Sequence, residues 1–265
     1  IHQLKFTDYK EENAFIKNLV RLKEEAAAAT FPTKPILHSM LGEMYWQYYQ
    51  NNRYEFQERT EKADVQEDDI ETWSLAKIMN ETFTQYKLSL EDSDKSKTTS
   101  IELFEEVLNK GNTIGRRYRP TLYDFLAHRA IDFSSGEEAS VTQPAHAFLL
   151  EKDEYFSEAP FFSALDVVTR DTMSMKYFSL TLLQDVIAFH LTDKDPEALV
   201  DVDLKRLAFV KANHTSTIKD TLYLKALAKL EQNVISHPVS TRVTWHKAYL
   251  ISGSVYKPLL SDAHK

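Results

Sequence analysis

The sequence predicts an all-α protein whose helices stack as antiparallel pairs in an irregular α-solenoid. Glycine is scarce, at 5 of 265 residues, whereas turn-rich β-sandwiches and Rossmann folds need glycine at special backbone positions. Apolar residues recur mostly at the i, i+3, i+4 and i+7 spacing of one helix face. Proline, aspartate and serine or threonine mark the short turns between these segments.

The first predicted half covers residues 1–135. Thr72 and Ser100 are its predicted N-caps, Gly111 is predicted to end the helix that Ser100 starts, and Pro120 suits the first turn of the last helix. Helices are predicted over 8–30, 35–51, 72–90, a short segment after Ser100, and 120–134. Polar connections are predicted over 61–71 and 92–100.

Residues 136–170 are the least regular part and predict short helices and loops that connect the halves. The second half, 171–265, predicts helices over 174–191, 196–212, 217–235 and about 240–250. Asp195 and Pro196 are the predicted N-cap and first residue of the second of these. The last helix has a strand as its alternative. The segment 217–252 is tetratricopeptide-like, although no clean 34-residue period exists. One continuous domain is the alternative to two halves.

Composition excludes several functional classes. The net charge of −8 argues against a nucleic-acid binder, which needs a basic face. No apolar run approaches the ~20 residues of a membrane span. The absence of cysteine excludes disulfides, thiolate zinc sites and a cysteine nucleophile in this chain. Since the sequence starts at Ile1 without an initiator methionine or a targeting segment, we expect it to be part of a longer protein.

No catalytic, cofactor or metal site is predicted. Asp124 and His128 lie four residues apart on one helix face and could orient a proton transfer, but no glycine-framed nucleophile accompanies them. The nine histidines lack zinc-site spacing. The acidic residues of 61–71 lack the pattern of a calcium loop and suit the start of a helix. We therefore expect a chain that is not an enzyme.

Two clusters supply candidate partner-binding residues. An aromatic run with Asn and Arg, characteristic of sugar or peptide sites, contributes Trp46, Tyr49 and Arg53. A basic segment contributes Arg116 and Arg117, which could bind an anion. For both clusters the structural alternative is favoured: the aromatic rings pack in the core, and the arginines pair with acidic neighbours.

Several blocks resemble a known family. Residues 36–49 read ILHSMLGEMYWQYY and residues 119–133 read RPTLYDFLAHRAIDF. Smaller matches are 52–53, 59–60, 72–73, 189–191, 198–201 and 204–207. Together these blocks resemble the N-terminal helical region of large alpha-2-macroglobulin-family proteins from Bacteroidetes. The resemblance spans most of this chain but only a small part of such a parent protein.

The resemblance implies a bacterial cell-envelope protein, periplasmic or anchored to the outer membrane through its parent, whose family traps or inhibits proteases. The family's thioester motif, Cys-Gly-Glu-Gln, lies in a later domain and has no counterpart in this cysteine-free chain. The expected role is a non-catalytic scaffold or protein-interaction region. Its partners would be the parent's β-domains, an envelope protein and, through the parent, proteases. The alternative is a free-standing helical-repeat adaptor with a peptide or protein in its groove.

Overall fold

A computed structural model describes residues 14–58, 70–108, 113–136, 146–171 and 173–252. Within these ranges the protein consists of α-helices and short 3₁₀ turns, without a strand. Two isolated bridges join Ser100 to Thr121 and Leu150 to His214. The all-α prediction is confirmed. None of the described helices combines the length and apolar character that crossing a membrane requires.

Among the described residues, seven α-helices precede residue 136 and five follow residue 146. The first seven are α1 (Ala14–Ala28), α2 (Thr33–Asn51), α3 (Arg53–Glu58), α4 (Leu75–Leu88), α5 (Ser93–Lys97), α6 (Thr113–Tyr118) and α7 (Leu122–Ser134). The remaining five are α8 (Ala159–Ser163), α9 (Met175–His190), α10 (Glu197–Asn213), α11 (Lys219–Asn233) and α12 (Ser240–Ser252). The 3₁₀ turns are Ile70–Thr72, Ile101–Phe104 and Asp153–Phe156.

The chain forms two compact units that are not continuous in sequence. Unit 1 comprises residues 1–112 and 120–143, and unit 2 comprises 113–119 and 144–265. The short segment 113–119 therefore belongs with the C-terminal helices, although unit 1 flanks it on both sides. The irregular connection over 136–170, which the sequence predicts to lie between two halves, stays a prediction.

Local hydrogen bonds correct several predicted helix ends. Thr72 is not the N-cap of α4, because it lies in a 3₁₀ turn; the Ser74 hydroxyl caps this helix by accepting from the backbone N–H of Lys77. Thr121 caps α7, one residue after Pro120. Asp195 accepts from the N–H of Glu197, as a capping aspartate does, but Pro196 is the residue that flanks α10.

Two further predictions concern whole segments. The predicted loop over 92–100 is wrong in part, because residues 93–97 form α5. The strand alternative at the C-terminus is also wrong, since residues 240–252 form α12. Gly111, residues 8–13 and the acidic stretch 61–69 lie outside the described residues.

Unit 2 packs its consecutive helices against each other, so that α9 contacts α10, α10 contacts α11 and α11 contacts α12. Helix α9 is apolar nearly all round and largely buried, as its sequence predicts. Helix α10 is also buried on most sides, but four of its buried residues are charged: Glu197, Asp201, Asp203 and Arg206. The charges of α10 must therefore find partners inside unit 2.

Unit 1 is organised by close contact between α2 and α4, the most extensive helix–helix contact in the described chain. Gly42 allows this approach: a Cβ atom there would lie 3.0 Å from Cδ2 and Cε2 of the Tyr86 ring. Tyr86 cannot easily retreat, because its ring stacks on Phe133 of α7 with centroids 5.1 Å apart. Arg129 then ties α7 to α2 by donating to the Ser39 hydroxyl at 2.7 Å.

We expect Gly42→Ala to destabilise unit 1 by about 1 kcal/mol. Alanine is intrinsically better than glycine in a helix by about 0.5–1 kcal/mol, but overpacking of a core costs about 1–3 kcal/mol. Urea unfolding measures the difference. In a Tyr86→Leu background the same substitution should be neutral or stabilising, because the clashing ring is gone. A Gly42→Ala protein more stable than the parent would contradict the close-packing account.

Candidate functional site

The aromatic candidates lie in the core of unit 1. Tyr49 is only 7% exposed, and its ring packs against those of Trp46 and Phe56, with centroids 5.3 and 5.7 Å away. Trp46 is half-buried and meets the edge of Phe133 at 5.3 Å. Arg53 is exposed on α3. The structure thus brings Trp46 and Tyr49 together as packing residues, and a partner-binding role for the three residues stays a prediction.

The basic segment of α6 faces acidic residues of α10. Arg117 Nε lies 2.7 Å from a carboxylate oxygen of Glu197, and Arg119 Nε lies 3.3 Å from Oδ2 of Asp201. Both carboxylates are more than nine-tenths buried, whereas the two arginines are largely exposed. Arg116 is half-buried. Pairing with acids thus gives Arg117 and Arg119 a structural role; anion binding by Arg116 and Arg117 stays a prediction.

Asp201 also binds a second arginine, which the sequence did not identify. Arg242 of α12 donates to Asp201 Oδ1 at 2.7 Å, while Arg119 approaches Oδ2. The guanidinium of Arg242 lies 4.1 Å from the centroid of the Tyr118 ring, at cation–π distance. One buried carboxylate therefore joins α10 to α12 and to the residues that follow α6.

Asp203 and Arg206 form a deeply buried ion pair, with exposed fractions of 2% and 1%. Nε and Nη2 of Arg206 donate to Asp203 Oδ1 at 2.9 and 2.5 Å, and Nη1 donates to the carbonyl of Tyr155 at 2.7 Å. The Phe162 ring lies 4.7 Å from the guanidinium carbon. The spacing of three residues along a helix, amid apolar positions, is the sequence signal for this pair.

A cavity of about 640 Å³ opens beside this pair, between α8, α10 and α11. We call it the Asp203 cavity. The buried pair Asp203 and Arg206 lines one part of the cavity, which we call its floor. The rest of the lining, which we call its walls, is mainly apolar and includes Leu199, Leu222 and Leu230. Its volume is within the range of roughly 300–1,000 Å³ that ligand pockets occupy. A mainly apolar cavity with a few convergent polar groups has the composition of a binding site.

The Asp124 carboxylate has a structural task. Its Oδ2 accepts hydrogen bonds from the N–H and the hydroxyl of Thr121, at 2.9 and 2.8 Å, and the Thr121 hydroxyl accepts from the N–H of Asp124. This capping box fixes the start of α7. His128 is buried one turn later. Capping of α7 thus gives the acid at position 124 a structural role.

Asp195, Glu197 and His237 bring their ligand atoms within 4.8 Å of one another, as metal ligands would. Each has a protein partner, however. Glu197 binds Arg117, and Asp195 Oδ1 accepts the N–H of Glu197. His237 Nδ1 accepts the N–H of Val239 at 3.2 Å, which leaves the proton of a neutral ring on Nε2, facing Asp195. The cluster is thus explained by the start of α10 and the turn before α12.

His246 lies on α12 near this ion network. Burial lowers its pKa, the positive charge of Arg242 lowers it further, and Asp201 partly opposes both effects. His246 also lines a smaller recess with Trp245 and Tyr223. The neutral imidazole is therefore the form that the folded unit 2 prefers.

No protein-family model matches the chain, and no curated protein or solved structure is detectably similar to it.

We expect Asp203→Ala to destabilise unit 2 by about 3–5 kcal/mol, because it leaves a buried guanidinium without its counter-charge. The double variant Asp203→Ala/Arg206→Met should recover part of the loss, since it removes the unpaired charge as well. Denaturant unfolding of both single variants and the double variant completes the cycle. If the stability loss of the double variant equals the sum of the losses of the two single variants, strong coupling between the two side chains is contradicted.

We expect the pKa of His246, measured by NMR titration, to lie below 6.5 and to rise in Arg242→Gln, because a nearby positive charge is removed. Since the unfolded chain takes up this proton more readily, the stability contribution is present above pH 6.5 and is lost as the pH falls through the folded-state pKa. His246→Gln should flatten that part of the stability profile. An unchanged pKa in Arg242→Gln would contradict the assigned electrostatics.

Proposed function

We propose that this chain is a non-catalytic helical scaffold and protein-interaction region of a large bacterial cell-envelope protein of the alpha-2-macroglobulin type. The parent protein would inhibit endopeptidases, and its β-domains or an envelope protein would be the partner of these helices. The observation that carries the proposal is the resemblance of residues 36–49 and 119–133 to that family. These two blocks contribute the helices α2 and α7.

The contacts of the two blocks support a scaffold role. Arg129 in the second block donates to the hydroxyl of Ser39 and lies 3.3 Å from the carboxylate of Glu43 in the first. Trp46 meets the edge of Phe133. The distinctive polar and aromatic residues of both blocks therefore hold α2 and α7 together. A family resemblance concentrated on such residues favours a common architecture over a shared reaction.

The order of helix contacts supports the finer architecture that we propose for unit 2. Helices α9 to α12 each pack against the next one in sequence, as the repeats of a solenoid do. We propose antiparallel pairing and a tetratricopeptide-like arrangement toward the C-terminus. Asn233 ends α11 and Ser240 begins α12, so the connection has the short length usual between paired helices.

A free-standing helical-repeat adaptor is the second candidate, and the Asp203 cavity favours it. The cavity offers apolar walls and a polar floor within unit 2 alone, so that ligand binding there would not require a parent protein. Both candidates share a binding role without catalysis. They differ in whether β-domains accompany the helices in the same polypeptide.

Sequencing the parent gene on both sides of this segment tests the family assignment. We expect a lipoprotein-type signal upstream and long β-patterned domains downstream, with or without Cys-Gly-Glu-Gln. An open reading frame that ends just beyond Lys265 would contradict the family assignment and favour the free-standing adaptor.

A protease assay tests the role of the helices within such a parent. The isolated chain should neither cleave casein nor inhibit a protease that the full parent inhibits, and deletion of residues 1–265 should leave inhibition by the parent intact. The full parent assayed in parallel is the control. Inhibition or cleavage by the isolated chain would contradict a scaffold role.

A further inference from the structure

We propose that the Asp203 cavity binds an apolar, uncharged polypeptide segment, with one side chain between α10 and α11 and the adjoining backbone amide on the Asp203–Arg206 pair. This gives the proposed interaction role a site and a ligand class. It rests on unit 2 alone, so a failed binding experiment would leave the family assignment untouched.

The Asp203 carboxylate has one oxygen that accepts no hydrogen bond from the described residues. The Arg206 side chain donates two N–H groups to the same oxygen of Asp203, Oδ1. Oδ2 has no donor among the described residues, although the Asp203 side chain is 97% buried and lines the cavity. Oδ2 is not fully enclosed by protein, and Asp203 lines the cavity, so a group inside the cavity can approach it. A ligand that enters the cavity with a hydrogen-bond donor would satisfy it.

Arg206 has N–H donors that its protein partners do not occupy. A guanidinium has five N–H donors, and three of them are used: two on Asp203 Oδ1 and one on the Tyr155 carbonyl. Two N–H groups remain on a side chain that also lines the cavity. The floor therefore offers an acceptor from Asp203 and donors from Arg206. An amide group, which carries both an N–H and a C=O, complements both.

The charge balance of the floor selects a neutral ligand. Asp203 and Arg206 already neutralise each other, so a buried ammonium or carboxylate on the ligand would leave one net charge without a counter-ion. Backbone amides carry no net charge. An uncharged peptide group therefore fits the pair better than an amine or an acid.

The walls and the rim indicate an apolar side chain on that peptide. Phe156, Leu199, Leu222, Leu230 and Val234 line the walls. Phe161 lines the cavity while remaining 69% exposed, which makes it available to cover a bound segment. Glu158 is already engaged, because Asn233 donates to it at 2.9 Å and Lys229 lies 3.8 Å away. This link joins the residue before α8 to α11, so the charges of Glu158 and Lys229 already face each other.

The test is an NMR titration of the ¹⁵N-labelled chain with N-acetyl-L-leucinamide and with the longer peptide N-acetyl-Ala-Leu-Ala-amide. We expect saturable shifts confined to residues 153–162, 196–206 and 222–234. The longer peptide adds backbone contacts, so it should bind at least about tenfold more tightly. This factor corresponds to roughly 1.4 kcal/mol of binding free energy. N-acetylglycinamide, which lacks the apolar side chain, and the cationic L-leucinamide should both bind at least about tenfold more weakly than N-acetyl-L-leucinamide.

Two alanines of α11 give a matched pair of variants. Ala226 lines the cavity, whereas Ala228 is exposed on the same helix away from it. Ala226→Phe should fill the cavity and abolish the shifts, and Ala228→Phe should leave them unchanged, with both proteins giving the dispersed spectrum of a folded chain.

Three results would overturn the proposal. They are an absence of saturable binding, binding that survives in Ala226→Phe, and L-leucinamide binding as tightly as its neutral acetylated form. Equal affinities for the single residue and the longer peptide would also contradict it, because the site would then be one for small amides.

Discussion

The burial of charge on helix α10 is the constraint on which unit 2 depends. Glu197, Asp201, Asp203 and Arg206 are each less than a tenth exposed on this one helix. A buried charge is tolerated only when it is paired and hydrogen-bonded, so α10 dictates where its neighbours lie. Arg117 comes from α6, Arg119 follows it, Arg242 comes from α12, and the carbonyl of Tyr155 comes from a 3₁₀ turn. This pairing also explains why the segment 113–119 belongs to unit 2.

Unit 1 is organised differently, by close packing between apolar and aromatic surfaces. Gly42 lets the ring of Tyr86 approach α2, and Tyr86 in turn stacks on Phe133. Buried polar groups here also link separate helices, since His38 Nδ1 of α2 lies 2.7 Å from Gln85 Oε1 of α4. The resemblance blocks lie on these packing helices. The Asp203 cavity, by contrast, belongs to unit 2, where the buried Asp203–Arg206 pair lines it.

Signals that are local in sequence made most of the helices predictable, whereas the network of buried charges could not be predicted from the sequence. The predicted helices over 174–191 and about 240–250 correspond to α9 and α12, because helical periodicity and start signals depend on neighbours in sequence. The N-cap at Thr72 was wrong because Ser74, two residues later, is an equally good cap and only the backbone path decides between them. Asp201 and Arg242 are far apart in sequence, and no periodicity indicates that they pair. The Asp203 cavity was missed for the same reason, since its walls come from three helices.

Hydrogen–deuterium exchange on the wild-type chain and on Asp201→Asn tests the central claim most directly. The side chain keeps its shape but loses the charge that holds Arg119 and Arg242. The account predicts that exchange in α12 and at residues 117–119 accelerates by about tenfold or more, because local opening free energies report such pairings, while α9 keeps its protection. Unchanged protection of α12 in Asp201→Asn would contradict the claim that buried charge on α10 organises unit 2.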